Sequence, residues 1–166
     1  MNEAIQFAVR HSLWANEKLI QYCAGLTREQ LDWTVPGTYG TVGSILHHTV
    51  SADQGYVLAL TGTLPGEPRA STEKPGPIAD LIPKVRAIGE SCERLLSQPF
   101  DIDRVVQRPR GTATAGVLIA QLVHHGSDHR AHVGTILGAH GLNGDDWDLD
   151  LWVYGTELGV VKMKDA

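Results

Sequence analysis

The stretch TAGVLIAQLVHHGSDHRAHVGTILGAHG, residues 114–141, decides the fold that we predict for this chain. Its apolar residues recur at helical spacing, as seen at Leu118, Leu122, Val133 and Ile136. Gly141 follows the last of them, and glycine is a usual residue just past the end of a helix. We therefore predict a long helix over residues 114–139, with four histidines between its apolar residues.

Two earlier segments carry the same spacing of apolar residues. The first covers residues 2–24 and stops at Gly25. The second starts near Thr41 and ends at Gly62. Both are long enough for several helical turns.

A third earlier segment is predicted to begin after Asp80, which we assign as its N-terminal cap. Pro83 is tolerated there because the first N–H groups of a helix lack helical partners anyway. A short helix is predicted around residues 148–159. Four long amphipathic segments predict an all-α fold, an up-and-down four-helix bundle with a short additional C-terminal helix.

The connections carry their own signals. Thr27 and Gln30 fit a capping box that opens a short helical turn, and Pro36 closes this turn. Residues 64–77 are rich in proline and glycine, so we predict a long loop, a frequent place for function. Residues 100–107 alternate, but a lone strand has no partner, so we predict an extended connection there.

Length and composition narrow the functional classes. The 166 residues predict one domain, residues 1–166, and the net charge of −5 disfavours nucleic acid and membrane surfaces as partners. Cys23 and Cys92 are far apart in the chain, which favours a reducing compartment and buried thiols. The N-terminus lacks the pattern of a signal peptide. We therefore expect a cytoplasmic protein.

Six of the 8 histidines fall on the second and fourth long helices. On the fourth, His125 and His129 lie near the centre of the apolar stripe and are predicted to point inward, with His132 at its edge. Their i, i+4 spacing places the two side chains about 5–6 Å apart at Cβ, so both rings reach one ion at about 2.0–2.1 Å.

On the second long helix, His48 flanks the apolar stripe and is the better inward candidate. We predict that His47, His124 and His140 lie at the surface. Three neutral imidazoles from two facing helices form a site with open positions, the arrangement of catalytic metals. Asp53, near the centre of the inward face, is a candidate to orient a ligand histidine or to act as general base.

These residues resemble a known family, the DinB/YfiT-like metal-binding four-helix bundles. The matching stretches are Ser44-Ile45-Leu46-His47-His48 with Ala52-Asp53, His125-x-x-x-His129-Arg130, and Asp148-Leu-Asp-Leu-Trp152. The resemblance implies that His48, His125 and His129 hold one divalent transition metal ion, with zinc, nickel and iron as candidates. It also implies homodimers in many members, and thiol-dependent transfer or isomerisation with low-molecular-weight thiols in those of known activity.

The chain departs from the family at one place. The family often reads His-Arg-Gly-Gln where this chain reads His-Arg-Ala-His over residues 129–132. The role of the family residue therefore does not transfer to His132, which we keep with Asp53 as a candidate catalytic residue.

Three hypotheses remain open. In the first, the chain is a metal-dependent enzyme, either a thiol-dependent transferase or a hydrolase, that acts on a small molecule. Residues 64–77 or the C-terminal segment would then shape the entry to the site. In the second, it is a binding protein without turnover whose metal is a structural or sensory centre; a structural site would be closed by a fourth ligand, His132 or Asp53. In the third, the histidines form a hydrogen-bond network without metal. Independently of these hypotheses, Asp53 could be a helix-packing residue paired with a neighbouring cation. A metalloprotease is excluded because no glutamate follows His125.

Overall fold

The computed structural model describes residues 2–109, 111–142, 144 and 147–162. Most of these residues are helical, which confirms the all-α class. The helices are α1 (Glu3–Cys23), α2 (Arg28–Leu31), α3 (Val42–Thr61), α4 (Ile82–Leu96), α5 (Ala115–Ala139) and α6 (Leu151–Glu157). The long helices α1, α3, α4 and α5 correspond to the four segments predicted from the sequence.

Capping residues set the starts of α2 and α3 and the end of α3. The Thr41 hydroxyl accepts from the backbone N–H of Ser44 at the start of α3, and Thr27 and Gln30 form the predicted capping box of α2. Gly62 ends α3 with a φ of 76°, a conformation that costs glycine little because it has no Cβ. The predictions succeeded here because capping depends on neighbours in the chain.

The start of α4 corrects one prediction. Asp80 is not its cap, because residues 78–81 form a 3₁₀ turn that leads directly into α4, with Leu81 at the cap position. Pro83 does lie in the first turn of α4, as predicted. The apolar side chains Ile78 and Leu81 are both buried, so packing against the core holds this turn.

A hairpin corrects a second prediction. Val105–Arg108 form β1 and pair antiparallel with Gly111–Thr114, which form β2, so residues 100–107 are not merely an extended connection. Val106 lies opposite Ala113 and is buried. The partner strand is only four residues of small and polar side chains, a composition that does not signal a strand by itself.

The four long helices close a ring of contacts: α1 packs on α4 and α5, and α3 packs on α4 and α5. Their inward faces form one apolar core, with Ile45, Ile88, Leu122 and Ile136 among its fully buried members. Cys23 and Cys92 are buried free thiols in this core, as predicted. Among the described helices, none is long and apolar enough to cross a membrane.

Candidate metal centre

Three histidines from two helices meet at one point between α3 and α5. The Nε2 atom of His125 lies 3.1 Å from Nε2 of His48 and 3.0 Å from Nε2 of His129. His129 is buried, while His48 and His125 are half-buried. We call His48, His125 and His129 the triad; the structure brings together the three residues that the sequence singled out as ligands.

The spacing of the three nitrogens fits a single ion. With bonds of about 2.0–2.1 Å, ligand nitrogens lie about 3.3–3.4 Å apart around a tetrahedral ion and about 2.8–3.0 Å apart at right angles. The two measured distances, 3.0 and 3.1 Å, fall between these geometries. Ligand atoms of all three residues lie within 4.8 Å of one another. The donor set of the triad is therefore compatible with a transition metal ion.

The electrostatics of the triad favour neutral rings. Burial lowers the pKa of His48 and of His129 below the usual 6.5. The pKa of His125 falls to about 4, first because of burial and then because His129 and His48 would repel a second positive charge. Neutral imidazoles have a free lone pair on one ring nitrogen, which is the form that binds a metal.

Tyr39 covers the triad from the loop between α2 and α3. Its ring lies 4.5 Å from the ring of His48 and 4.7 Å, edge-on, from that of His129, measured between centroids. Its hydroxyl is 3.4 Å from Nδ1 of His48. The side chain is 57% exposed. Tyr39 therefore contacts two of the three histidines while remaining open to solvent.

The ring nitrogens that point away from the centre differ in their partners. In the described part of the chain, Nδ1 of His125 and Nδ1 of His129 are buried without a hydrogen-bond partner. Only Nδ1 of His48 has one, the hydroxyl of Tyr39. A partner at Nδ1 decides which nitrogen carries the proton, and so leaves Nε2 free for a metal.

Asp53 lies in a separate buried cluster. It is 0% exposed, and its Oδ2 accepts from the amide of Asn16 at 2.9 Å. The Oδ1 atom of Asn16 accepts in turn from Nη1 of Arg130 at 2.6 Å, and the same nitrogen reaches Ser12. We call Asp53, Asn16 and Arg130 the Asp53 cluster. No hydrogen bond between Asp53 and the triad is present among the described residues.

Burial raises the pKa of Asp53 to about 8, although the Arg130 charge and the Asn16 amide both act to lower it. The side chain is thus near a cation, as in the packing alternative raised by the sequence. Arg130 follows His129 directly in α5, so the Asp53 cluster adjoins the triad through one peptide bond.

The remaining histidines occupy other environments. The prediction that His47 lies at the surface is wrong: it is 3% exposed, and its Nε2 donates to the carbonyl of Gly76 at 2.9 Å. The loop over residues 64–77 folds back across α3 and covers it. His124 and His140 are exposed, as predicted, and His140 stacks on Trp33.

His132 lies beside the triad without joining it. Its ring centroid is 5.8 Å from that of His129. Ligand atoms of Asp128, His129 and His132 lie within 4.8 Å of one another, with Asp128 exposed. His132 is therefore placed to contribute to the site as an additional polar group.

The two cysteine thiols are poorly suited to act as catalytic nucleophiles. Burial raises the pKa of Cys23 and of Cys92 to about 12. A thiol with such a pKa is almost wholly protonated at neutral pH and is a poor nucleophile.

Sequence reasoning missed three polar side chains around the site: Tyr39, Arg69 and Arg108. Tyr39 and Arg108 lie in the loop before α3 and in β1, where no helical periodicity reveals direction. The sequence offered one indication that further side chains surround the site. Tyr56 lies eight residues, about two helical turns, after His48 in the same helix. Its ring meets that of His125 edge-on at 5.8 Å.

Comparison with known families bears on this geometry. The family model of the DinB superfamily matches residues 13–133, which include the whole triad. The chain belongs to the DinB superfamily. No curated protein matches it. In this DinB-superfamily protein, three neutral imidazole nitrogens converge from α3 and α5, and the half-buried His48 and His125 leave the centre reachable from solvent.

Proposed function

We propose that this protein binds one divalent transition metal ion through the triad and acts as a metal-dependent enzyme of the thiol-dependent transferase or hydrolase type. The observation that carries the proposal is the convergence of the three Nε2 atoms at distances of 3.0 and 3.1 Å. Zinc, nickel and iron all accept imidazole ligands, so the donor set leaves the choice of metal open.

Three protein ligands leave a coordination position for a small molecule. When bound, the ion supplies Lewis acidity, which suits a thiolate or a water made acidic at neutral pH. The protein's own contribution is to keep the three rings neutral by burial, to orient His48 through Tyr39, and to exclude water around His129. The substrate enters on the half-buried side of His48 and His125.

Asp53 and His132 have different roles in this proposal. Asp53 is 0% exposed and bonded to Asn16, which supports positioning of α5 through Arg130; its role as general base stays a prediction. His132, half-buried beside His129, is proposed as a polar group that meets the substrate or a bound water.

Several broader predictions accompany this function. The ring of contacts among α1, α3, α4 and α5 supports an up-and-down four-helix bundle. A single domain over residues 1–166, homodimer formation and a cytoplasmic location stay predictions.

Metal analysis tests the metal centre directly. The purified protein, reconstituted with zinc or nickel, is expected to hold one ion per chain, and His48→Ala, His125→Ala and His129→Ala are each expected to lose it. His124→Ala is the matched control, because it removes an exposed imidazole from the same helix as His125. Absence of stoichiometric metal in the wild type, or undiminished metal in all three variants, contradicts the proposal.

The second candidate function is a non-catalytic metal protein. The proximity of Asp128 and His132 to His129 favours it, since a fourth protein ligand would close the coordination sphere. Titration of the cobalt-substituted protein with 2-mercaptoethanol separates the two. A thiolate-to-cobalt absorption band supports the open site, and an unchanged spectrum supports the closed one.

A further inference from the structure

Two guanidinium groups flank the α3 face that carries His48. Further along α3, Ser51 and Gly55 lie to one side of the direction of His48 and Tyr56 lies to the other. Arg69, from the loop that precedes α4, reaches Ser51 and lies against Gly55, while Arg108, from β1, lies over Tyr56.

Arg108 is one aromatic ring away from the triad. Its Cζ lies 5.4 Å from the centroid of the Tyr56 ring, and that ring meets His125 edge-on at 5.8 Å. Nη1 of Arg108 is buried and has no hydrogen-bond partner among the described residues. A charged donor that is removed from water and left unpaired is costly, so an acceptor supplied by a ligand would stabilise it.

No other arginine or lysine nitrogen in the described part of the chain is in this state. Arg10, Arg28 and Arg86, for example, each pair with a carboxylate of the protein. Arg108 forms no such pair within the described ranges, although the chain has 19 acidic residues. Within the described ranges, the charge of Arg108 is thus left without a carboxylate partner, and a ligand could supply one.

Arg69 adds a second positive charge on the other side of His48, next to Ser51 and Gly55. Its Nε and Nη2 donate to the carbonyl of Ser51 at 3.0 and 2.8 Å, which fixes the side chain without neutralising it. A Cβ at position 55 would lie 2.7 Å from Nη2, so the glycine makes room for this guanidinium. Gln54 holds the loop in place through the carbonyls of Pro65 and Gly66.

We infer that the substrate carries a carboxylate or a similar anionic group, which Arg108 binds with the support of Arg69 while another part of the same molecule reaches the metal. Guanidinium groups suit this role because their planar fork of N–H donors matches a carboxylate. The inference rests on the proposed function and names its substrate class.

Two thiols that differ only in charge test it. They are 3-mercaptopropionate and 3-mercaptopropionamide, titrated into the cobalt-substituted protein, with dissociation constants taken from the thiolate-to-cobalt band. The quantity compared is the ratio of the two constants in each variant relative to wild type, because this cancels the intrinsic difference between the thiols. The variants are Arg108→Gln, Arg69→Gln and Arg108→Lys.

Arg108→Gln is expected to reduce the preference for the carboxylate thiol about tenfold and to leave the affinity for the amide unchanged. Arg69→Gln should reduce the preference less. Arg108→Lys should retain part of the preference, and it provides a second test if Arg108→Gln does not fold. The matched control is Arg94→Gln, which removes the same charge from α4, where Arg94 bonds to Ser91.

The outcomes separate this inference from the proposed function. If the amide binds and the preference is the same in Arg108→Gln as in wild type, the anionic substrate is wrong while the open metal site stands. If neither thiol binds to the cobalt-loaded protein, both this inference and the thiol-dependent reaction are overturned. An equal loss in Arg94→Gln also overturns it, since net charge would then explain the effect.

Discussion

The Asp53 cluster and the triad both consist of polar side chains among apolar ones, but they differ in how their polar atoms find hydrogen-bond partners. In the Asp53 cluster, a carboxylate, an amide and a guanidinium supply complementary donors and acceptors. Asn16 stands between the other two and bonds to both, at 2.9 and 2.6 Å. The triad instead places three identical rings with their Nε2 atoms facing one another.

This difference shows what each cluster requires. Complementary groups satisfy one another within the protein, and burial then has a modest cost. The three Nε2 atoms satisfy one another only in part, because a neutral imidazole carries a single N–H and Nε2 of His125 can therefore donate to at most one of its two neighbours. A cation between the three lone pairs would satisfy them together. The first cluster is therefore expected to govern folding, and the second to govern ligand binding.

The largest effect is expected from breaking the Asp53 cluster. Arg130→Met removes the cation and leaves a buried carboxyl with one partner, which should lower the free energy of unfolding by about 3–5 kcal/mol. Chemical denaturation of the metal-free protein at about pH 9 measures this, because burial raises the pKa of Asp53 to about 8 and the carboxylate forms only above that pH. The loss should shrink toward neutral and acidic pH, where the carboxyl is protonated in both proteins.

Arg86→Met is the matched control for this experiment. Arg86 pairs with Glu17 at 2.7 Å on the surface, and loss of such a pair is expected to cost less than about 1 kcal/mol. Equal losses in Arg130→Met and Arg86→Met would show that the Asp53 cluster contributes no more than a surface ion pair.

The next effect concerns metal loading of the triad. An ion that binds only the folded protein should raise the free energy of unfolding by about 2.7 kcal/mol when its free concentration is 100-fold above Kd. Denaturation with and without a chelator measures the gain. His129→Ala should lose it and His124→Ala should keep it; a gain of the same size in both would place the ion elsewhere.

A smaller effect is expected from the hydroxyl of Tyr39. Tyr39→Phe keeps the ring on His48 and His129 but removes the partner of His48 Nδ1, which should weaken metal binding about tenfold. Tyr56→Phe is the control, since Tyr56 meets His125 through its ring alone. Competition with a chromophoric chelator measures both affinities, and equal weakening in the two variants would contradict the role of Tyr39.

The smallest effect is expected from pH in the metal-free wild type. The histidines of the triad have a lower pKa in the folded protein than in the unfolded chain, so the unfolded chain binds more protons in acid. Stability should therefore fall as the pH drops from about 6.5 toward 4. Solvent reaches His48 and His125, which limits the size of the fall.

The fall in stability in acid should disappear when the imidazole rings of the triad are removed. A variant with all three triad histidines replaced by glutamine should show a flatter dependence of the denaturation midpoint over the same pH range. A slope equal to that of the wild type would assign the effect to other groups, of which the half-buried His11 and the buried His47 are the first candidates.

Particular residues show which features could be predicted. The ends of α3 followed from Thr41 and Gly62, and the inward direction of His125 and His129 followed from their place in the apolar stripe. Position along one helix determines direction, so these features are local. His47 was predicted at the surface because nothing on its own helix shows that the loop at Gly76 returns to cover it.

The sequence by itself determined the helical segments, their caps and the candidate metal ligands, because helical periodicity and capping depend on residues within a few positions of one another. Only the tertiary structure decided how those helices combine: that Asn16 of α1 joins Asp53 to Arg130, that Tyr39 meets His48, and that Arg108 lies beside Tyr56. These contacts join distant parts of the chain. Packing of the apolar faces against one another selects them, and no local pattern contains that information.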